Sequence, residues 1–141
     1  AMKHWYADRP DLFHKKPRNR PGPDTYRYAL RVLASRFRLG LVADIWAPRD
    51  SWIDELERTG VRSVFSAMSF SSDHGIVKPS PKPFRQVLAE MGADPAKTVM
   101  IGDSVRRDLG GATAAGLPCI LVGGAMNRYA LRAVDSLLDL L

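Results

Sequence analysis

Residues 98–116 read TVMIGDSVRRDLGGATAAG. Thr98 to Ile101 is a short apolar run suited to a buried strand. Asp103 and Asp108 follow it, and then comes a stretch whose Gly111, Ala112, Ala115 and Gly116 suit a helix packed closely on a sheet. A strand that stops at an acid and turns into such a helix is one half of an α/β repeat. Two carboxylates at that turn are hard oxygen donors for a divalent cation. The purely structural alternative makes Asp103 a helix cap and Asp108 a first-turn partner of the helix dipole.

The same alternation extends in both directions. Upstream, PDTYRYALRVLASRF has Tyr26, Ala29, Leu30, Leu33 and Phe37 at helical spacing, and RLGLVADIW then reads as a buried strand. PRDSWIDELERTG is a helix bracketed by Pro48 and Gly60, and VRSVFSAMSF is a second strand. SPKPFRQVLAEMG is a helix with Ser80 as cap, Pro81 in its first turn, an apolar stripe of Phe84, Val87, Leu88 and Met91, and a closing Gly92. Downstream, PCILVGG is a fourth strand, and NRYALRAVDSLLDLL (127–141) has the amphipathic pattern of a terminal helix. Near-continuous apolar strands alternating with helices predict a mainly parallel sheet covered on both faces.

Composition sets the outer limits. At 141 residues, 45% apolar and 26% charged, the chain is sized for one soluble globular domain. No apolar run reaches membrane-spanning length and no signal-peptide pattern opens the sequence, so no membrane partner is expected. The lone Cys119, within an apolar stretch, excludes an internal disulfide and points to a reducing, cytoplasmic setting. Ala1 ahead of Met2 reads as an addition, so Met2 is the expected start.

The net charge of +6 is unevenly spread. Residues 1–38 hold ten Lys or Arg against three Asp, whereas residues 39–141 hold eleven against twelve acids. Basicity therefore sits in the leader, above all in HKKPRNRPG. No zinc-ligand spacing or nucleic-acid motif accompanies it, so the expected organisation is a basic, proline-rich leader (1–22) ahead of an α/β core (23–141). A nucleic-acid partner is not expected.

Parallel sheets present their functional groups beyond the carboxyl ends of the strands. Those ends carry Ala43 and Asp44, the loop from Ser69 to Lys78, Asp103, and Gly123–Gly124. Acids and a lysine on one rim can hold Mg²⁺ and a phosphate, the lysine balancing phosphoryl charge.

GIVKPSPKPF, followed about 25 residues later by VMIGDSVRRDLGGATAAGLPCILV, resembles the haloacid dehalogenase superfamily in its phosphatase-like branch, in order and spacing, from residue 23 to about 124. The resemblance implies a Rossmann-like α/β/α fold, Mg²⁺ as cofactor and an aspartate nucleophile that becomes phosphorylated. It makes Lys78 the lysine that steadies nucleophile and phosphoryl group, Asp103 a metal ligand, Asp108 its supporting acid near the ion, and Ser104 a contributor to the phosphate loop. Asp44 lies where that family commonly has Asn and is a further candidate ligand.

Two departures stand out. The strand ending at Ala43 lacks the Ser or Thr with which the family's strand usually ends. No Asp-x-Asp-Gly-Thr motif precedes residue 39, so the chain resembles a member without its first, central strand and most of its cap. Something must occupy that gap. The candidates are HWYA in the leader, with Asp8 as a degenerate nucleophile; a strand from a homodimer mate or another partner chain; or direct packing of the two halves. The functional expectation is a Mg²⁺-dependent phosphohydrolase-type core acting on a phosphorylated small molecule, inactive or incomplete as an isolated chain. The alternatives are a catalytically dead binding or regulatory subunit, and an interaction protein that uses its basic leader.

Overall fold

The structure, a computed structural model, describes residues 23–141. The leader, with Asp8 and the HWYA stretch, lies outside the described residues. The helical stripe of Ala29 and Leu33 forms α1, Pro23–Arg36, and both residues are buried. Phe37 falls one residue past its end and is 61% exposed, so it does not join that stripe. The chain then enters β1, Leu39–Ala43, and α2, Arg49–Arg58. A single 3₁₀ turn leads into β2, Phe65–Phe70, followed by the short α3, Ser71–His74.

The next helix, α4, spans Lys82–Met91 with Pro83, Phe84, Val87 and Leu88 buried, as its stripe predicts. Gly92 closes it at φ 60°, in the left-handed region that glycine enters without strain. The N-cap is Pro81 rather than the expected Ser80, which lies one residue earlier and accepts the Lys82 N–H at 3.3 Å. β3, Met100–Gly102, then runs into a wide π-type turn, Val105–Leu109, and α5, Gly110–Ala114. β4 is Cys119–Leu121.

The last segment departs from its helical pattern. Residues 132–133 form β5, which pairs in parallel with β4, and Leu137–Leu140 is a 3₁₀ turn. Ser136 and Asp139 form a capping box there, which fixes the chain locally in a turn. The open edge of β4 offers backbone partners that an isolated amphipathic helix would forgo.

All strand pairings among the described residues are parallel, as expected for an α/β fold, but the sheet is in two pieces. β1 pairs with β2, and β3 pairs with β4, which pairs with β5. Between β1 and β3 lies a slot of about 380 Å³, walled by Gly40, Leu41 and Val42 on one side and Met100 and Ile101 on the other. Helix α4 covers it, with Phe84, Val87 and Leu88 in its lining. Gly40 lets that helix approach: a Cβ there would collide with Val87 and Met91. One core cluster, around Phe84, Leu109, Cys119 and Leu121, serves the β3 side, and another, around Ile45, Met68 and Phe70, serves the β1 side.

Candidate functional site

The carboxyl ends of β1 and β3 are tied together through one loop. Asp44 follows β1 and is partly exposed, and its Oδ1 accepts the backbone N–H of Lys78 at 3.1 Å. That loop follows α3, which closes at Gly75 with φ 71°. The Lys78 side chain reaches on to the other half-sheet, where its Nζ donates to Asp108 Oδ1 at 2.7 Å. The second oxygen of Asp108 accepts the backbone N–H groups of Asp103 (3.0 Å) and Ser104 (3.1 Å), just beyond β3. A line of hydrogen bonds therefore runs Asp44–Lys78–Asp108–Asp103 across the mouth of the slot.

Local sequence makes this possible. A Cβ on Gly102 would overlap the Asp108 carboxyl group, so glycine is what lets the acid fold back beneath the strand end. Ser104 caps the turn by accepting the Arg107 N–H at 3.1 Å, the role that one reading of the sequence assigns to Asp103. Asp108 is 3% exposed. A buried carboxylate is costly unless paired and hydrogen-bonded, and three donors meet this one.

The two oxygens of Asp108 are thus committed, and its visible part is to hold the ammonium of Lys78 and shape the 103–104 loop. Lysine carries three N–H groups, so the pair leaves Lys78 donors for an anion. Asp103 is different: it is exposed, and its carboxylate makes no hydrogen bond among the described residues. It lines a rim cavity of about 300 Å³ together with Tyr26, Gly123 and Asp135.

No cluster of three or more His, Cys, Asp or Glu able to hold a metal occurs among the described residues. Mg²⁺ does not require one, since it commonly takes one or two carboxylates and fills its shell with water and phosphate oxygens. Asp103 fits that pattern as an open donor and Asp108 fits it as support. The side chain of Asp44 keeps one oxygen without a described partner. Asp8 lies outside the described residues.

Comparison with known proteins bears on what such a rim is for. Residues 76–137 match the HAD-hydrolase-like family, a span that contains Lys78, Asp103 and Asp108. Over 109 residues, 77% of this chain and 47% of the relative, the sequence is 31% identical to a glyceraldehyde 3-phosphate phosphatase of Methanothermobacter thermautotrophicus. The chain belongs to the haloacid dehalogenase-like hydrolase superfamily. The pyrophosphatase PpaX of Bacillus pumilus is 34% identical over 92 residues, 64% of this chain and 42% of that protein. Among solved structures, a HAD phosphatase from Thermococcus onnurineus superposes with a TM-score of 0.72 at 28% identity, covering 84% of this chain and 55% of that one. The chain spans about half the length of the curated relatives it matches.

In this haloacid dehalogenase-like core two further contacts matter that the sequence does not single out. Ser71, buried at the start of α3, accepts the Ile45 N–H at 2.7 Å and donates to the Ile45 carbonyl at 2.8 Å. It pins the loop that carries Asp44, but its hydroxyl is thereby unavailable to replace the one missing at Ala43. Ser69 and His74 lie 2.9 Å apart and superficially resemble a nucleophile and its base. His74 Nδ1, however, accepts the Ile76 N–H at 3.0 Å, so Nε2 carries the proton and donates to Ser69. An imidazole in that tautomer cannot take the serine proton. No local pattern in the sequence signals either contact, because both join residues through loop geometry.

Proposed function

We propose that this chain carries the phosphoryl- and cation-binding part of a phosphohydrolase site, directed at a phosphorylated small molecule. The observation that supports it most is the Lys78–Asp108 pair beside the open carboxylate of Asp103. The pair holds an ammonium at the rim, oriented and partly dehydrated, where it strengthens attraction to a phosphoryl dianion. Asp103 and water would hold Mg²⁺, whose chemistry is to neutralise charge on the phosphoryl oxygens. The curated relatives named above are phosphatases, which agrees with a phosphate ester or anhydride as ligand.

The described residues include no assigned nucleophile. Attack by a carboxylate oxygen on phosphorus forms an acyl phosphate and releases an alkoxide that takes up a proton. Water then cleaves the acyl phosphate to phosphate and regenerates the carboxylate. Asp8 is the candidate for that carboxylate, and without one the site binds phosphate esters and does not turn them over.

A second reading has its own observation. Ala43 offers no hydroxyl, Ser71 donates its own to the Ile45 carbonyl, and Ser69 accepts from His74 and donates to Gln86 Oε1 at 3.4 Å. The lack of that hydroxyl favours a binding or regulatory subunit that retains an ion site. Hydrolysis of an aryl phosphate by the full chain, with Mg²⁺ or EDTA and beside Asp103→Asn and Asp8→Asn, separates the two. Mg²⁺-dependent turnover lost in both variants supports the hydrolase. No turnover in any sample, with phosphate still binding, supports the subunit.

A further inference from the structure

The strands that border the slot are oddly exposed. β1 (LGLVA) and β3 (MIG) are apolar, yet neither contains a buried residue. Their outer neighbours are the more protected: four of the six residues of β2 are buried, and so are Cys119 and Leu121 in β4. In a sheet covered on both faces burial should increase toward the middle. Here it decreases toward the slot, on both sides. Each bordering strand also uses one edge alone for pairing among the described residues, β1 with β2 and β3 with β4, which leaves two rows of backbone donors and acceptors facing the same gap.

The two bordering strands share one direction. Asp44 and Asp103, which follow β1 and β3, are joined at one end of the slot through Lys78 and Asp108, while Arg38, Thr98 and Val99 line it toward the strand starts. β1 and β3 therefore point the same way, and a strand that continues the all-parallel pairing of this sheet lies parallel to both. Such a strand would leave the slot at the Asp103 rim. The described chain begins at that rim, since Tyr26, in the first turn of α1, lines the rim cavity with Asp103.

We propose that the slot is a strand-docking groove whose occupant is this chain's own segment His4–Asp8, inserted parallel to β1 and β3. The segment meets three requirements. His4-Trp5-Tyr6-Ala7 has adjacent aromatic β-formers, and Pro10, which cannot extend a ladder, follows two residues after Asp8. The other apolar pair ahead of α1, Leu12 and Phe13, is followed closely by Lys15 and Lys16, which a covered groove would exclude. Residues 9–22 then link the strand to α1; at about 3.3 Å per residue they reach up to roughly 46 Å, ample for a connection along one rim. In this register Asp8 emerges beside Lys78, as Asp44 and Asp103 do from their own strands.

Amide hydrogen exchange of the full chain tests this without reference to turnover, so its failure and that of the hydrolase reading are distinguishable. The expected result is protection of residues 5–8 by at least about a hundredfold over residues 12–20, unchanged from low to high protein concentration. Trp5→Asp should abolish it and speed exchange of Leu41, Val42, Met100 and Ile101, whereas Leu12→Asp should not. Rapid exchange of residues 5–8 at every concentration in the unaltered chain would overturn the proposal. So would protection that appears only as a dimer forms in sedimentation, which would assign the groove to a strand from a second copy. Slow exchange at Leu41 and Ile101 beside an unprotected 5–8 segment would likewise assign it to some other strand.

Discussion

Lys78 Nζ lies 2.7 Å from Asp108 Oδ1, with the two side chains 12% and 5% exposed. One contact therefore links the half-sheet that holds Asp44 to the half-sheet that holds Asp103, across a gap that no described strand bridges. Breaking one partner of a buried pair leaves an uncompensated charge, which typically costs about 3–5 kcal/mol. Lys78→Met and Asp108→Asn should each lower stability by that order in urea unfolding. The double variant Lys78→Met/Asp108→Asn should lose less than the two single variants together, because it leaves no bare charge behind. A double variant as unstable as the sum of the two singles would show that the pair is not coupled.

Gly102→Ala should be destabilising by about 1–3 kcal/mol, since its methyl group must displace the Asp108 carboxyl. Gly111→Ala is a second test of the same kind. In an exposed helix it would be stabilising by roughly 1 kcal/mol. Here a Cβ meets the Phe84 ring and the change should destabilise instead. Thermal unfolding of both variants reads the outcome, and a stabilised Gly111→Ala would refute the close contact of α5 with α4.

Mg²⁺ binding to the folded chain should raise the melting temperature by mass action, at millimolar ion and low ionic strength. Asp103→Asn should remove that increment while leaving the ion-free protein within about 0.5 kcal/mol of the parent, because its carboxylate is exposed and makes no described hydrogen bond. An increment that survives in Asp103→Asn would place the ion elsewhere.

Cys119 is 1% exposed, and burial, aided by the negative charge of Asp108, pushes its thiol up to about 11. A thiol whose folded pKa is raised contributes stability that is complete below its unfolded value near 9 and is lost as pH rises through the folded value. Stability should therefore decline between about pH 9 and 11, and Cys119→Ser should flatten that part of the profile. Ellman's reagent should label Cys119 slowly at pH 8 in the native protein and rapidly in urea. Fast native labelling would mean that the thiol is accessible.

Ser69 should resist a fluorophosphonate probe, because His74 points a proton at it and accepts none from it. Ser69→Ala should lower thermal stability through the lost hydrogen bond without changing phosphate-ester binding. Covalent labelling at Ser69 would require the other imidazole tautomer.

Much of this was legible in the sequence where the signal is local. The apolar stripe of α4, its closing Gly92 and the strands ahead of Asp44 and Asp103 follow from periodicity and from the few residues that punctuate it. The rim positions follow in turn, since strand ends in a parallel sheet share one edge. The 127–141 segment has helical spacing but forms a strand and a turn, because 3.6-residue spacing says nothing about a free strand edge nearby, and β4 supplies that edge. Ser71 and His74 went unread because their partners, Ile45 and Ser69, are set by how loops meet.

The sequence by itself determined the order of the main elements through β4, the superfamily motifs and the acids and lysine that follow the strands, all consequences of short-range patterns. Tertiary structure alone decided that the sheet divides into β1–β2 and β3–β4–β5, and that Asp108 spends its two oxygens on Lys78 and the 103–104 loop. Strand pairing and charge burial depend on groups far apart in the chain, and their energies arise only once those groups are brought within hydrogen-bonding distance.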